Sequence, residues 1–415
     1  MTTNWAGNHT FCAAAPHRPT TLEGVRELVA AAPRVRVLGQ RHSFNDIADA
    51  AELISLEAMP AHVVVDRAAG TVTCAAGMTY ARLADTLKAE GLALRNLASL
   101  PHISVAGAIA TATHGSGNGN GNLATAVAAL ELVTSDGDVR TVRRGDHDFD
   151  GIVVGLGAMG AVTRVTLDVE PAYDVRQRVF ERLPWDRLLD RFDDVTAAGD
   201  SVSLFTRWDG AVDQVWVKSR VGSGAEDAAA DLLGATPAAA DVHPLAGMDP
   251  VNCTPQMGSP GPWSDRLPHF RAGFVPSAGD ELQAEYMVPR RHAPAAIEAV
   301  RSLGDRVRPV LRVSEIRTVA ADRLWMSPQH GRDTVAIHFT WRPDQDAVAR
   351  VLADVERALA PFRARPHWGK LFLARAGAIG ELYERRADFA RLVASVDARG
   401  AFRNRWLDAH VLGAP

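Results

Sequence analysis

Between Ser99 and Asn122 the chain reads SLPHISVAGAIATATHGSGNGNGN, and no other stretch limits the possible folds so strongly. Ile103 to Thr113 is too apolar to lie in solvent. Gly107, Gly115 and Gly117 permit close backbone approach, and the small residues between them leave room for a flat or anionic group. Successive backbone N–H groups in such a segment can form an anion-binding nest. The Asn-Gly alternation after Gly117 suits a flexible surface loop instead. On its own, the segment fits a packed turn and a ligand loop equally well.

A strand-to-turn element precedes it. In RVRVLGQRHSFN the alternation from Arg34 predicts a strand, Gly39 ends it, and Gln40 to Asn45 make a short, mostly polar turn. A lone histidine such as His42 is more often a satisfied structural residue than a reactive one. Further on, Gly155, Gly157 and Gly160 in VVGLGAMG spell GxGxxG. In a dinucleotide-binding unit those glycines open a helix whose N-terminus holds pyrophosphate. Here AVTRVTLDVEP follows, with Val162, Val165, Leu167 and Val169 set among Thr and Arg. That is strand, so the cluster reads as a tight turn and a nicotinamide site is set aside.

The remaining pattern places these motifs. A helix is expected from Pro19 to Val29 with Thr21 as its cap, two strands about Gly70, a helix ending near Gly91, and two strands about Asp136-Gly137. Strands mixed with two helices make the first region α+β. After Glu170 come an Ala-rich helix (Gly224 to Leu233) and a long Pro/Gly-rich loop (Pro244 to Pro268). LQAEYMVPR, RPVLRVSEIRTV and TVAIHFTW read as strands. APAAIEAVRSL, QDAVARVLADVERALAPF and ELYERRADFARLVASVD read as helices.

A length of 415 residues predicts two or three domains. With 45 basic against 49 acidic residues, a nucleic-acid partner is not expected. No window holds 18 consecutive apolar residues, and MTTNWAGNHTFC lacks a secretory pattern, so neither a membrane span nor export is expected. Cys12, Cys74 and Cys253 form no CxxC spacing. A reducing, cytoplasmic setting without a metal site is the expectation.

The histidine turn followed by the SLPHISVAG loop resembles the vanillyl-alcohol-oxidase family of FAD enzymes. Its sugar-alcohol-oxidising branch is nearest, and the sugar-lactone oxidases are next. The likeness runs from PTTLEGVRELV through LGQRHSFND, SLPHISVAGAIATATHGSG, LGAMGAVTRVTLDVEP, ELQAEYMVP, SEIRTV, AIHFTW and HWGKLF to FRNRWLDAHVLG. It implies an FAD-binding domain over residues 1–172 and a mixed α/β substrate domain with a central antiparallel sheet over 173–377. Residues 378–415 would return to the FAD domain. By the same resemblance His42 bonds covalently to the flavin, and Val37, Leu38, Gly39, Gln40, Arg41 and Ser43 cradle its diphosphate. Ser99, Ser104, Gly107, Thr111, Ala112, Thr113 and His114 would form the second FAD loop, and the backbone near Val162 would also meet the cofactor. No cysteine lies between Cys74 and Cys253, so a single covalent link is expected.

The substrate side has its own physical logic. SEIRTV alternates at period two, so Glu315 and Arg317 share a strand face while Ile316 points away; His338 and Thr340 do likewise in AIHFTW. A carboxylate accepts from vicinal hydroxyls and a guanidinium donates through its planar fork. The bland alternative is a buried Glu–Arg pair beside a solvated His and Thr. Lys370 stands out because Lys88, Lys218 and Lys370 are the only lysines. A buried ammonium there could stabilise an alkoxide or, with a lowered pKa, act as base. The combined expectation is that Ser99, Glu315, Arg317 and Thr340 hold an acyclic polyol. Lys370, assisted by His338, would polarise or deprotonate its terminal hydroxyl, with O2 as oxidant and a monomeric protein. A sugar-lactone oxidase and a flavin-free carbohydrate binder are the rival readings.

Overall fold

Thr21 accepts from the Gly24 N–H and so starts helix α1 (Leu22–Ala31), whose buried face is Val25 and Val29. In this computed structural model, which describes residues 2–222, 232–274 and 281–413, strand β1 (Val35–Leu38) follows and pairs in parallel with β2 (Glu52–Ser55). Strands β3 (Val63–Asp66) and β4 (Thr71–Ala75) turn at Gly70, where φ is +64° and a side chain would be strained. Helix α2 (Tyr80–Ala89) and the short α3 (Val105–Ala110) come next, then β5 (Val127–Val133), β6 (Val139–Arg143) and β7 (Ala161–Asp168). The order β3–β4–β7–β5–β6 makes one antiparallel sheet. The GxGxxG cluster is a turn, with Leu156, Gly157 and Gly160 at positive φ, and it runs straight into β7.

A second, larger sheet holds Glu315, Arg317, His338 and Thr340. Its long strands are β8 (Asp174–Leu183), β9 (Ser201–Thr206), β10 (Val212–Arg220), β11 (Leu282–Pro289), β12 (Leu311–Val319) and β13 (Thr334–Trp341). Among the described residues the sheet runs Thr236–Pro237, β8, β10, β9, β12, β13, β11, Arg365–Pro366, with Gly261–Pro262 added beside β8. Period two divides its faces. Ala284, Tyr286 and Val288, with Ile316, Ile337, Phe339 and Trp341, form one core with the helices Ala293–Arg301 and Gln345–Leu359. The other face is the polar one described below.

The C-terminal residues rejoin the core that the first strands build. Phe389, Leu392, Trp406 and Leu407 pack there, and Val35 N–H donates to Ala401 C=O at 2.8 Å. Trp263, Leu324, Met326 and Trp368, from the middle of the chain, belong to the same core.

Several expectations are corrected. The Ala-rich helix lies almost wholly outside the described residues, and Leu232 and Leu233 sit in a turn. The helix expected from Glu381 is split between helices Ala376–Leu382 and Arg386–Val396, because Tyr383 takes extended backbone (φ −113°, ψ 104°) and sinks its ring into the first core. The Asn-Gly alternation is not a flexible surface loop. Asn122 is 1 % exposed and its Nδ2 donates to Asp322, Ser327 and Gln329, while Gly117 N–H donates to Thr318 C=O. These bonds clamp the loop to the end of the large sheet.

Candidate active site

The polar face of the large sheet forms one wall of a cavity of about 410 Å³. Register explains the arrangement. Glu315 on β12, His338 on β13 and Glu285 on β11 are direct cross-strand neighbours, with Phe205 of β9 completing the rung. One rung along, Thr340 lies between Val313 and Gln283; in the other direction Arg317 faces Ala336. All project to the cavity side because a rung repeats on the same face every second residue.

Glu285, which the sequence reading passed over, is the hub of this face. It is 1 % exposed. Lys370 Nζ donates to its Oε2 at 2.7 Å, and Arg317 Nη2 donates to its Oε1 at 2.6 Å. His114 Nε2 lies 3.3 Å from Oε1. Burial by itself would raise the carboxyl, but Lys370, Arg317 and His114 outweigh it and hold Glu285 well below the ordinary carboxylate range. Burial and the repulsion of Arg317 outweigh the carboxylates of Glu285 and Glu315 at Lys370, so its pKa falls below the usual lysine value. A period-two reading of ELQAEYMVP, with Gln283 and Glu285 on one face of a buried strand, was the available signal.

Around the hub, Arg317 Nη1 donates to Ser99 Oγ at 3.2 Å and Arg317 Nε lies 3.5 Å from Glu315 Oε1. His269 Nε2 is 2.8 Å from the same Glu315 oxygen. Burial would raise Glu315 too, yet Arg317 and His269 carry it far below its ordinary value. His338 and Thr340 are each 7 % exposed, so they are not solvated as the bland alternative required. Burial pushes His338 down to about 3, aided by Lys370, which leaves the ring neutral. Its Nε2 is buried and has no hydrogen-bond partner among the described residues.

The opposite wall is made of the smallest residues. Gly39, Ser104, Gly107, Thr111, Thr113, Leu156 and Gly157 line it, with the turn Val37–Ser43. A Cβ on Gly39 would stand 2.4 Å from Ser104 Oγ and one on Gly107 2.7 Å from the same atom. Gly39 therefore approaches Ser104 of the second loop closely because it lacks a side chain, Gly107 leaves the same hydroxyl room within that loop, and the cleft beside them stays open for a flat group. Ala98 and Ser99 border it as well. His42 lines the cavity, its ring 5.2 Å from Trp5 and tilted by 25°, and burial together with His102 and Arg41 lowers it to about 4. The wall of small residues and the neutral His42 fit an extended planar cofactor with an anionic linker.

Most residues singled out from the sequence converge here. Ala112 and Val162 do not line the cavity: Ala112 is fully buried, and Val162 pairs with Leu132 inside the first sheet, so Leu156 and Gly157 present the turn instead. Besides Glu285, the sequence reading missed Gln283, Phe205, His269 and His367. A broader surface hollow of about 610 Å³, lined by Arg207, Arg308 and Arg342, holds none of the predicted residues.

Comparison with known proteins agrees with this layout. A family model described as FAD binding domain matches residues 13–143, and one described as D-arabinono-1,4-lactone oxidase matches 280–410. The chain is 50 % identical to an alditol oxidase of Streptomyces sp. (strain IKD472 / FERM P-14339), covering 98 % of this chain and 97 % of the relative. It is 28 % identical to an L-gulono-1,4-lactone dehydrogenase of Mycobacterium tuberculosis (strain ATCC 25618 / H37Rv), covering 97 % and 96 %. Among solved structures, a cholesterol oxidase from B. sterolicum superposes with a TM-score of 0.79 at 15 % identity, covering 98 % of this chain and 95 % of that one. At that identity the likeness concerns the fold alone.

Proposed function

Since this chain belongs to the alditol oxidase family of FAD-dependent oxidoreductases, we propose that it oxidises the terminal primary hydroxyl of an acyclic sugar alcohol, such as xylitol or sorbitol. The products are the aldose and hydrogen peroxide, with O2 as final electron acceptor. The observation that carries this reading is the single rung in which Glu315, His338 and Glu285 meet Arg317, Thr340, Ser99 and Lys370 at one cavity. Alternating acceptors and donors on a buried wall suit a row of hydroxyls, each of which both donates and accepts.

The turn Val37–Ser43, Ser104, Gly107, Thr111, Thr113 and His114 would hold FAD, with one covalent bond at His42. FAD bound there supplies the hydride acceptor for the substrate carbon. Residues 1–172 and 378–415, which share a core, would then form the cofactor side and 173–377 most of the substrate side.

The protein's own part is position and charge. Glu315 accepts from substrate hydroxyls, while Arg317 and Thr340 donate to them. Glu285 keeps Lys370 aligned as a cation, able to stabilise negative charge on the reacting oxygen. His338 is a neutral ring with an unused nitrogen, and Glu315 and Glu285 flank it in its own rung. Both carboxylates stabilise the imidazolium that forms if the ring takes the hydroxyl proton. Burial of the whole wall excludes water from this transfer.

Anaerobic addition of xylitol to the yellow protein should bleach its absorbance, and air should restore it with release of peroxide. Gulono- and galactono-lactone provide the contrast, because the match of the C-terminal region to a lactone oxidase model favours that second reading. Faster bleaching by a lactone would transfer the assignment to it. We further propose a cytoplasmic monomer; no helix among the described residues is long and apolar enough to cross a membrane.

A further inference from the structure

Behind the cavity wall lies a buried cation with no part in the chemistry above. Lys218, on β10, is 1 % exposed. Its Nζ donates to the carbonyl oxygens of Leu267 and Pro268 and lies 3.2 Å from His269 Nδ1. On the far side of that ring, Nε2 is 2.8 Å from Glu315 Oε1. Three groups of different sequence origin are therefore strung in a line that ends at the substrate wall.

The donor inventory decides how the line is wired. Burial lowers Lys218 to about 7, with Glu315 opposing the fall, and in its charged form it has three N–H donors and no acceptor. Two of them meet the Leu267 and Pro268 carbonyls, so the third points at His269 Nδ1, which has to accept. A neutral ring that accepts at Nδ1 carries its proton on Nε2 and donates it to Glu315. The other end makes the same demand. Glu315 is an ionised carboxylate, which only accepts, so an unprotonated Nε2 would set two acceptors against each other. Phe205 and Trp216 pack edge-on against the His269 ring at 5.4 and 5.2 Å and stop it from turning.

One oxygen of Glu315 is thereby used up by His269 and Arg317.

We propose that Lys218 and His269 are positioning residues which lock Glu315 into one orientation as an obligate acceptor, so that the cavity admits a hydroxyl there and rejects a carbonyl or carboxylate. This rests on the polyol reading of the cavity. A mobile or protonated Glu315 could accommodate either kind of group; a carboxylate pinned through one oxygen cannot.

The test uses the flavin-loaded enzyme. Lys218→Met and His269→Leu should each raise KM for xylitol tenfold or more while kcat changes less than threefold and flavin content stays that of the wild type. His269→Gln should stay within threefold of the wild-type KM, because its amide oxygen accepts from Lys218 while its nitrogen donates to Glu315. If Lys218→Met does not fold, the Leu and Gln variants at His269 decide between them. Equal KM for wild type and His269→Leu would overturn the proposal. Independently of turnover, 15N-histidine NMR of the wild-type holoenzyme should show His269 protonated at Nε2 alone near neutral pH. Protonation at Nδ1 or at both nitrogens would also overturn it. A wild type that gives the expected tautomer but does not turn over xylitol would instead overturn the polyol reading.

Discussion

Glu285 and Lys370 form a buried ion pair, Nζ to Oε2 at 2.7 Å, between two segments 85 residues apart in sequence. The carboxylate bridges Lys370 and Arg317, so two cations that would repel one another share a single anion. Removing the anion is the most damaging change available on this wall. Glu285→Ala leaves Lys370 buried and unpaired and Arg317 with only the 3.5 Å contact to Glu315, which costs about 3–5 kcal/mol of stability. Urea unfolding should show a lower midpoint that, multiplied by the slope, gives a loss of that size, and an unshifted midpoint would remove Glu285 from its central place.

The covalent link is read on the protein itself. Acid-precipitated wild-type protein should stay yellow in the pellet, whereas His42→Ala should release its colour to the supernatant. Freely washed-out flavin from wild type would show that His42 forms no bond.

Binding and chemistry separate by residue. Glu315→Gln and Arg317→Ala each remove a charged hydrogen-bonding partner worth about 1.5–3 kcal/mol, so KM for xylitol should rise by roughly 10- to 100-fold. Lys370→Met should instead act on kcat, lowering it by about 10²–10³ as loss of a group that stabilises developing negative charge does. Steady-state kinetics on the three variants decide this. A Lys370 variant with normal kcat would exclude that side chain from the reaction.

Acid should weaken the fold through its buried imidazoles. Burial lowers His269 to about 4, with help from Lys218, and His338 to about 3. A ring whose pKa is depressed by folding contributes stability that is complete above the unfolded value near 6.5 and is lost as pH falls toward the folded value. Each should give about 1.4 kcal/mol per pH unit between roughly 6.5 and 4. Tm measured against pH should be flat above 7 and fall below 6.5, and His338→Phe should make the fall shallower.

Backbone approach in the second loop has a built-in control. A Cβ on Gly115 would stand 2.3 Å from the Leu97 carbonyl oxygen, an atom that no side-chain rotation can move. At Gly119 the nearest atom is the tip of Arg95, 3.8 Å away. Gly115→Ala should cost about 1–3 kcal/mol by overpacking, and Gly119→Ala should remain within about 0.5 kcal/mol of wild type. Similar melting temperatures for the two variants would contradict this packing.

Lys218 and Lys370 show how far scarcity can be read. In a chain with 42 arginines and three lysines, an unusual lysine is a signal, and it pointed to Lys370. The same signal applied to Lys218 and went unused, because nothing nearby in sequence gives that residue a partner. Its partners, Leu267, Pro268 and His269, lie at the end of the long irregular loop and just beyond it, where no periodicity predicts where the groups will point.

Local alternation was enough to put Glu315 with Arg317 and His338 with Thr340, since a strand's two faces follow from backbone geometry alone. It also showed that the GxGxxG turn leads into a strand, and that the apolar glycine-rich stretch has to be covered. Which strands lie side by side, and in what register, is a non-local matter decided by packing over hundreds of residues. Only that pairing brings Glu285 opposite His338, places Lys370 and Arg317 on either side of it, and turns Leu156 rather than Val162 toward the cavity. A residue's face is written in its neighbours along the chain, but its partners are chosen by the folded sheet.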